Sequence, residues 1–319
     1  MSGKRNWMVL DGFEKGGAWH YTNLAGLQGI VKNHCLWSTA RAGLNDPLEV
    51  TYALEEMRRT WQHYRDSSKL VADVPREAVD DLVDRLSVEI ESVDLFFTSG
   101  SMDGDKLEHW KGYGSDQGYS ICFQDCSTWR LRGYDETPAK ELEPTSPFLR
   151  WREVDYTKFE PSFSRPLATS SGRAMEGIIS AAVGRRDGAV DEQQGHRYAL
   201  DEALRQLCWH KHTGYESEEE IRIAVQDPPP ATRRTRQSAY GPRTVEYVEL
   251  VAADPMAPGA AILAAGEPVP RLPIMAVRIG PRNTPTELAE DLNLTARLLD
   301  ENGYDVPVLA SPTPFLRGR

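Results

Sequence analysis

The stretch Trp19–Thr39, WHYTNLAGLQGIVKNHCLWST, changes its hydrophobic period twice. Around His20 the residues are β-prone, which reads as a short strand over Trp19–Thr22, with His20 and Thr22 on one face and Trp19 and Tyr21 on the other. Leu24, Leu27, Ile30 and Val31 then share one side of a helix, and Asn23 or Thr22 supplies its N-cap. Leu36–Thr39 returns to strand. A strand, a helix and a second strand in direct succession open a mixed α+β fold.

Outward from this stretch, Gly43-Leu44-Asn45-Asp46-Pro47 reads as a turn, with Asp46 as N-cap and Pro47 opening a helix from Leu48 to about Tyr64. Val79, Leu82, Val83, Leu86, Ile90 and Val93 repeat at helical spacing and set a long amphipathic helix from Pro75. Strands follow at Leu95–Ser99 and Gly118–Gln124, on either side of a helical turn over Leu107–Tyr113. Residues 161–192 read as a loop with a helix near Ala174–Val183, and a second helix runs from about Gln194 to Trp209. Further strands fall at Glu218–Gln226, Val245–Ala252 and Ile274–Ile279. Thr284-Pro285-Thr286-Glu287 has the form of a capping box before a helix to about Asn302, and a strand at Val306–Ala310 closes the pattern. No repeat or linker interrupts it. The reading is therefore an N-terminal tail over 1–17 and a single mixed α+β domain over 18–319, with insertions near 161–212 and 227–243.

The 319 residues include 40% hydrophobic and 27% charged side chains, an ordinary globular balance. No apolar run is long enough to span a membrane, and the start lacks the pattern of a secretory leader. Cys35, Cys122, Cys126 and Cys208 are too few and too irregular for a disulfide framework, which fits reduced thiols in a cytoplasm. A formal charge of −11 argues against general nucleic-acid binding. Arg233, Arg234, Arg236 and Arg243, after Pro228-Pro229-Pro230, form one basic cluster; it reads as a surface loop, or as a local nucleic-acid contact.

Three groups carry candidate chemistry. A strand over Glu218-Glu219-Glu220-Ile221-Arg222 places Glu218, Glu220 and Arg222 on one face, where the guanidinium would keep a carboxylate ionised; an exposed salt-bridge ladder reads the same way. His20 is a single histidine in an aromatic setting, a type that is commonly structural. His109-Trp110-x-x-Tyr113 offers aromatic rings for stacking or for a core. Cys208-x-His210-x-His212 lacks a fourth zinc ligand at standard spacing, and no metal site is expected. Walker, dinucleotide-binding and hydrolase motifs are missing.

The order of His20-Tyr21-Thr22, Leu36-Trp37-Ser38, Asn45-Asp46-Pro47-x-Glu49, Trp110-x-x-Tyr113, Gly118, Val154-x-Tyr156, Glu218-x-Glu220-Ile221-Arg222, Ile279-Gly280-Pro281 and Ser311-x-x-Pro314-Phe315 resembles the bacterial domain-of-unknown-function family 2971. The opening strand-helix-strand is also similar to that of ADP-ribosyltransferases. This second resemblance implies a small split β-sheet core flanked by helices and NAD as substrate. His20 would contact the adenosine ribose, Tyr113 or Trp110 would stack on nicotinamide, Glu220 would hold the nicotinamide ribose, and Glu218 would serve as base. Arg222 would orient the carboxylates or meet a phosphate. Tyr21, Thr22, Ser38 and Asn45 would line the nucleotide site, and the acceptor would be a macromolecule or a small molecule, in a role such as a toxin or defence effector. The middle motif departs from the transferase pattern. Two other readings stand beside this one: a non-catalytic nucleotide or nucleic-acid binding module using the arginine loop with Trp110 and Tyr113, and a metal-dependent nuclease using Asp46, Glu49, Glu218 and Glu220.

Overall fold

A computed structural model describes residues 17–44, 49–66, 74–112, 118–133, 149–156, 170–238, 241–253, 261–262 and 268–313. In chain order these form β1 (Gly17–Thr22), α1 (Leu24–Asn33), β2 (Leu36–Ala40), α2 (Glu49–Asp66), α3 (Arg76–Ser92), β3 (Leu95–Ser101), α4 (Leu107–Gly112), β4 (Tyr119–Gln124), β5 (Thr128–Leu131), β6 (Leu149–Arg150) and β7 (Arg152–Glu153). There follow α5 (Ser170–Arg186), α6 (Glu192–Leu207), β8 (Glu220–Gln226), β9 (Arg234–Gln237), β10 (Thr244–Ala252), β11 (Ala261–Ile262), β12 (Pro268–Val269), β13 (Ile274–Ile279), α7 (Pro285–Glu301) and β14 (Val308–Ala310). The α+β class expected from the sequence is the class observed.

The main sheet is organised around β3. One edge of β3 pairs with β8 along its whole length, from Leu95↔Gln226 to Ser101↔Glu220. Its other edge is shared between two strands: β2 takes Phe96 and Phe97, and β1 takes Ser101 alone, through Trp19. The sheet is thus split at Thr98, Ser99 and Gly100. On one side of the split β1 leads to β4, β13 and β14; on the other β2 leads to β10, which carries β5 and β9. β8 also pairs with β7, and only Trp151 separates β7 from β6, which pairs with β5, so the pairings of the second half run in a closed circuit.

Burial follows the alternation of the strands. Phe96, Ile121, Phe123, Ile223, Val248 and Leu250 form one core with Trp129, Trp151, the inner side of α1 and Leu299 of α7. Leu95 and Phe97 face the other way, into a core built from α2, α3, α5 and α6. The region expected as an insertion therefore supplies half of this helical layer. Gly177 of α5 permits its close contact with α6, because a Cβ there would stand 2.4 Å from the Glu202 side chain.

The helix ends show local causes. Asn23 accepts from the Gly26 amide. Thr284 accepts from the Glu287 amide, but the reciprocal box is at Asp191 and Gln194.

Three expectations are corrected. Leu24 is 37% exposed rather than part of the α1 core face. Glu218 is not on a strand: Thr213–Glu218 is a 3-10 turn, Glu219 adopts a left-handed φ of 43°, and β8 starts at Glu220. The arginine loop contains a strand, since β9 pairs with β10 through Arg234↔Tyr247 and Arg236↔Val245. Among the described residues, no helix is long and apolar enough to cross a membrane.

Candidate functional site at the split in the sheet

In an antiparallel strand the N–H and C=O of one residue point to the same side. Phe97 and Ser101 turn theirs to β2 and β1, so Ser99, midway between them, faces the gap. His20 fills part of it, with Nδ1 2.8 Å from the Ser99 carbonyl oxygen. A carbonyl only accepts, so Nδ1 carries the proton and donates, and Nε2 of the neutral ring keeps its lone pair. Desolvation holds His20 below the ordinary imidazole value, against the opposing effect of the Ser99 bond, so the ring is neutral at pH 7.

Beyond Ser99, on the neighbouring strand β8, Arg222 stands opposite Ser99, and Glu220 stands opposite Ser101. Glu220 is only 4% exposed. Arg222 meets it with both arms of the guanidinium, Nε to Oε1 at 3.0 Å and Nη2 to Oε2 at 2.7 Å. Lys211 Nζ adds a contact at 2.9 Å, and the Glu220 amide donates to the Tyr156 hydroxyl. Burial alone would raise the Glu220 pKa, but Arg222, then Lys211, then the hydrogen bonds outweigh it and hold the carboxyl well below the usual range. Arg222 also donates to the Cys208 carbonyl and lies over the Phe97 ring.

Glu218 joins this cluster by another route than the one expected. Although it lies in the turn, its carboxylate is 2.7 Å from Lys211 Nζ, and its side chain is 23% exposed. Two carboxylates and two cations are linked here, and Glu218 is the member most open to water. In register, Trp19, Ser101 and Glu220 lie side by side on one face, while His20 and Ile221 project from the other. His20 and Glu220 therefore project from opposite faces of the sheet on either side of β3.

The other residues singled out in the sequence divide by location. Ser38 is buried at the β2 lip of the split, its hydroxyl 2.5 Å from that of Thr98. Thr22 is half-buried, and its Oγ1 would stand 1.9 Å from a Cβ on Gly26. Tyr21 and Trp110 are core residues. The Tyr21 hydroxyl donates to the Asp103 carbonyl and accepts from the Lys106 amide, and Trp110, 3% exposed, donates to Asp105. Their rings pack on each other at 4.7 Å and leave no open face of Trp110 for a nicotinamide. Asn45, Asp46 and Tyr113 lie outside the described residues, and Glu49 opens α2.

Among the described residues, no group of three or more histidine, cysteine, aspartate or glutamate side chains is arranged to hold a metal ion. The Cys208 thiol is pushed up to about 12 by burial, and the His210 ring stacks on Tyr52. Sequence reasoning missed Ser99, Lys211 and Tyr156 as members of the site. Tyr156 belonged to an ordered motif, but nothing near Ser99 or Lys211 signalled their contacts. In comparisons with known proteins, no family model, no curated protein and no solved structure matches the chain.

Proposed function

We propose that the chain uses NAD as a substrate for glycosyl transfer, with ADP-ribosylation of an acceptor as the reaction. The observation that carries this reading is the gap along β3 at Ser99, where His20 donates to the Ser99 carbonyl while Arg222 holds Glu220 on the adjacent strand. The lone pair on His20 Nε2 suits a ribose hydroxyl as donor. Glu220, ionised and held rigid by Arg222, suits a ribose beside a breaking glycosidic bond, since a preorganised anion stabilises the oxocarbenium-like state without rearranging. The bond between C1′ and the nicotinamide nitrogen breaks, and its electron pair leaves with nicotinamide. The acceptor forms the new bond to C1′, and its proton passes to Glu218, the more accessible carboxylate. Water in the acceptor's place would give NAD hydrolysis.

The similarity of the opening strand-helix-strand to ADP-ribosyltransferases is the sequence feature that points to NAD. The nuclease alternative is weaker, because Lys211 and Arg222 already neutralise the two glutamates that would have to bind a divalent cation. The test is nicotinamide release from NAD, measured for the wild type, Glu220→Gln, Glu218→Gln and His20→Ala. Glu220→Gln should lower release at least about a hundredfold. If the wild type neither binds nor consumes NAD, with or without candidate acceptors, the proposal fails.

A further inference from the structure

We infer that the sheet face formed by β2, β10 and β9 is a docking surface for single-stranded nucleic acid, with Trp37 as its base-stacking platform. Trp37 is 42% exposed, although it occupies an interior position of a strand in the main sheet. Tyr247 packs beside it with centroids 4.6 Å apart. The Arg236 guanidinium lies over the ring at 5.5 Å. One arm of that guanidinium donates to Thr39 Oγ1 at 3.1 Å, its Nε is buried without a partner, and Arg236 has no acidic partner among the described residues.

The register puts the cations on the same face. Arg234 is opposite Tyr247, Tyr247 is opposite Thr39, and Trp37 is opposite Glu249. Arg234 and Arg236 are two residues apart on β9, so they repeat at roughly 6.6 Å, of the order of the step between neighbouring phosphates on an extended strand. Arg234 is 57% exposed and only 3.6 Å from Glu249, which Arg132 also contacts at 3.2 Å. Arg243, across the β9–β10 hairpin, is exposed and extends the row.

Charge complementarity selects a polyanion, and the flat exposed ring selects unpaired bases, because bases in a duplex already stack on each other. Arginine over tryptophan adds a cation whose own plane can stack. With a net charge of −11 over the whole chain, binding would be confined to this face and would involve few phosphates. The surface is independent of the NAD reading and is tested without NAD.

The experiment is fluorescence anisotropy of labelled oligo-dT and oligo-U of about 12 nucleotides, titrated with the full chain at about 50 mM salt. Saturable binding is expected, weakened about tenfold or more by Trp37→Ala and largely kept by Trp37→Phe. Three phosphate contacts would give a salt slope near −2, and Arg236→Ala should reduce its magnitude by about 0.7. Circular dichroism melting of each variant distinguishes lost binding from lost folding. The inference is overturned if folded wild type does not bind, if folded Trp37→Ala binds equally well, or if a duplex of the same length binds as tightly. It is also overturned if AMP or NAD competes as strongly per molecule as the oligonucleotide, or if Trp37 proves to be the contact of a dimer by sedimentation.

Discussion

Trp110 and Trp37 stand in two regions of the molecule that treat an aromatic ring in opposite ways. The Trp110 indole donates to Asp105, which also accepts from the hydroxyls of Ser311 and Thr313, and Gly280 lies so close that a Cβ there would stand 2.9 Å from the ring. Neutral donors surround that carboxylate and close the region over the ring. Trp37 has a tyrosine and a guanidinium as neighbours, and they leave a large part of the ring open. Whether an aromatic residue is core or platform is set here by what its polar neighbours cover, not by the residue type or its spacing.

The largest effect expected from this contrast is in Trp110→Ala, which should cost about 3–5 kcal/mol of unfolding free energy by urea titration. A loss below about 1 kcal/mol would mean that the ring is not a core element. Asp105→Ala removes the common acceptor and should cost about 1–3 kcal/mol, with Trp110 emission shifted towards the red as water reaches the indole.

Acid should separate the regions further. Burial holds His20, on β1, and His34, just before β2, below their ordinary value, as it does His210 in the helical layer. The unfolded chain then takes up protons that the folded chain refuses. The stability these groups contribute is complete above pH about 6.5 and is lost as pH falls through their folded values. Urea midpoints should therefore drop as pH falls below 6.5, and His34→Gln should flatten that slope. A midpoint independent of pH between 7.5 and about 5.5 would contradict the buried neutral rings. The smallest effect is expected in Trp37→Ala, which should change stability by no more than about 0.5 kcal/mol.

The parts of the fold that depend on neighbours in sequence were legible. Val79, Leu82, Val83, Leu86 and Ile90 all face the core of α3, as their spacing requires. The shared face of Glu220 and Arg222 was also legible, but the place of Glu218 was not: it lies in a turn instead of on the strand and joins them through Lys211. No local pattern records that Lys211 supplies the cation, or that the Ser99 carbonyl accepts from His20 across the sheet. The arginines of β9 looked like a loop because dense like charge usually resists packing, and only pairing with β10 makes them alternate about a strand. Trp110 could not be told from Trp37 by sequence, since its cover comes from Ser311 and Thr313, about two hundred residues further on.

β3 has a kinetic consequence as well. Its three partners come from Gly17–Thr22, Leu36–Ala40 and Glu220–Gln226, and the longest contiguous pairing is with the last of these. During synthesis the first hundred residues can therefore form helices and local turns, but the central strand stays half-paired until residue 226 has left the ribosome. Folding should be slow, with loop closure as the principal barrier. A truncation before Glu220 should leave an unpaired β3 edge, prone to aggregation, rather than a smaller folded protein.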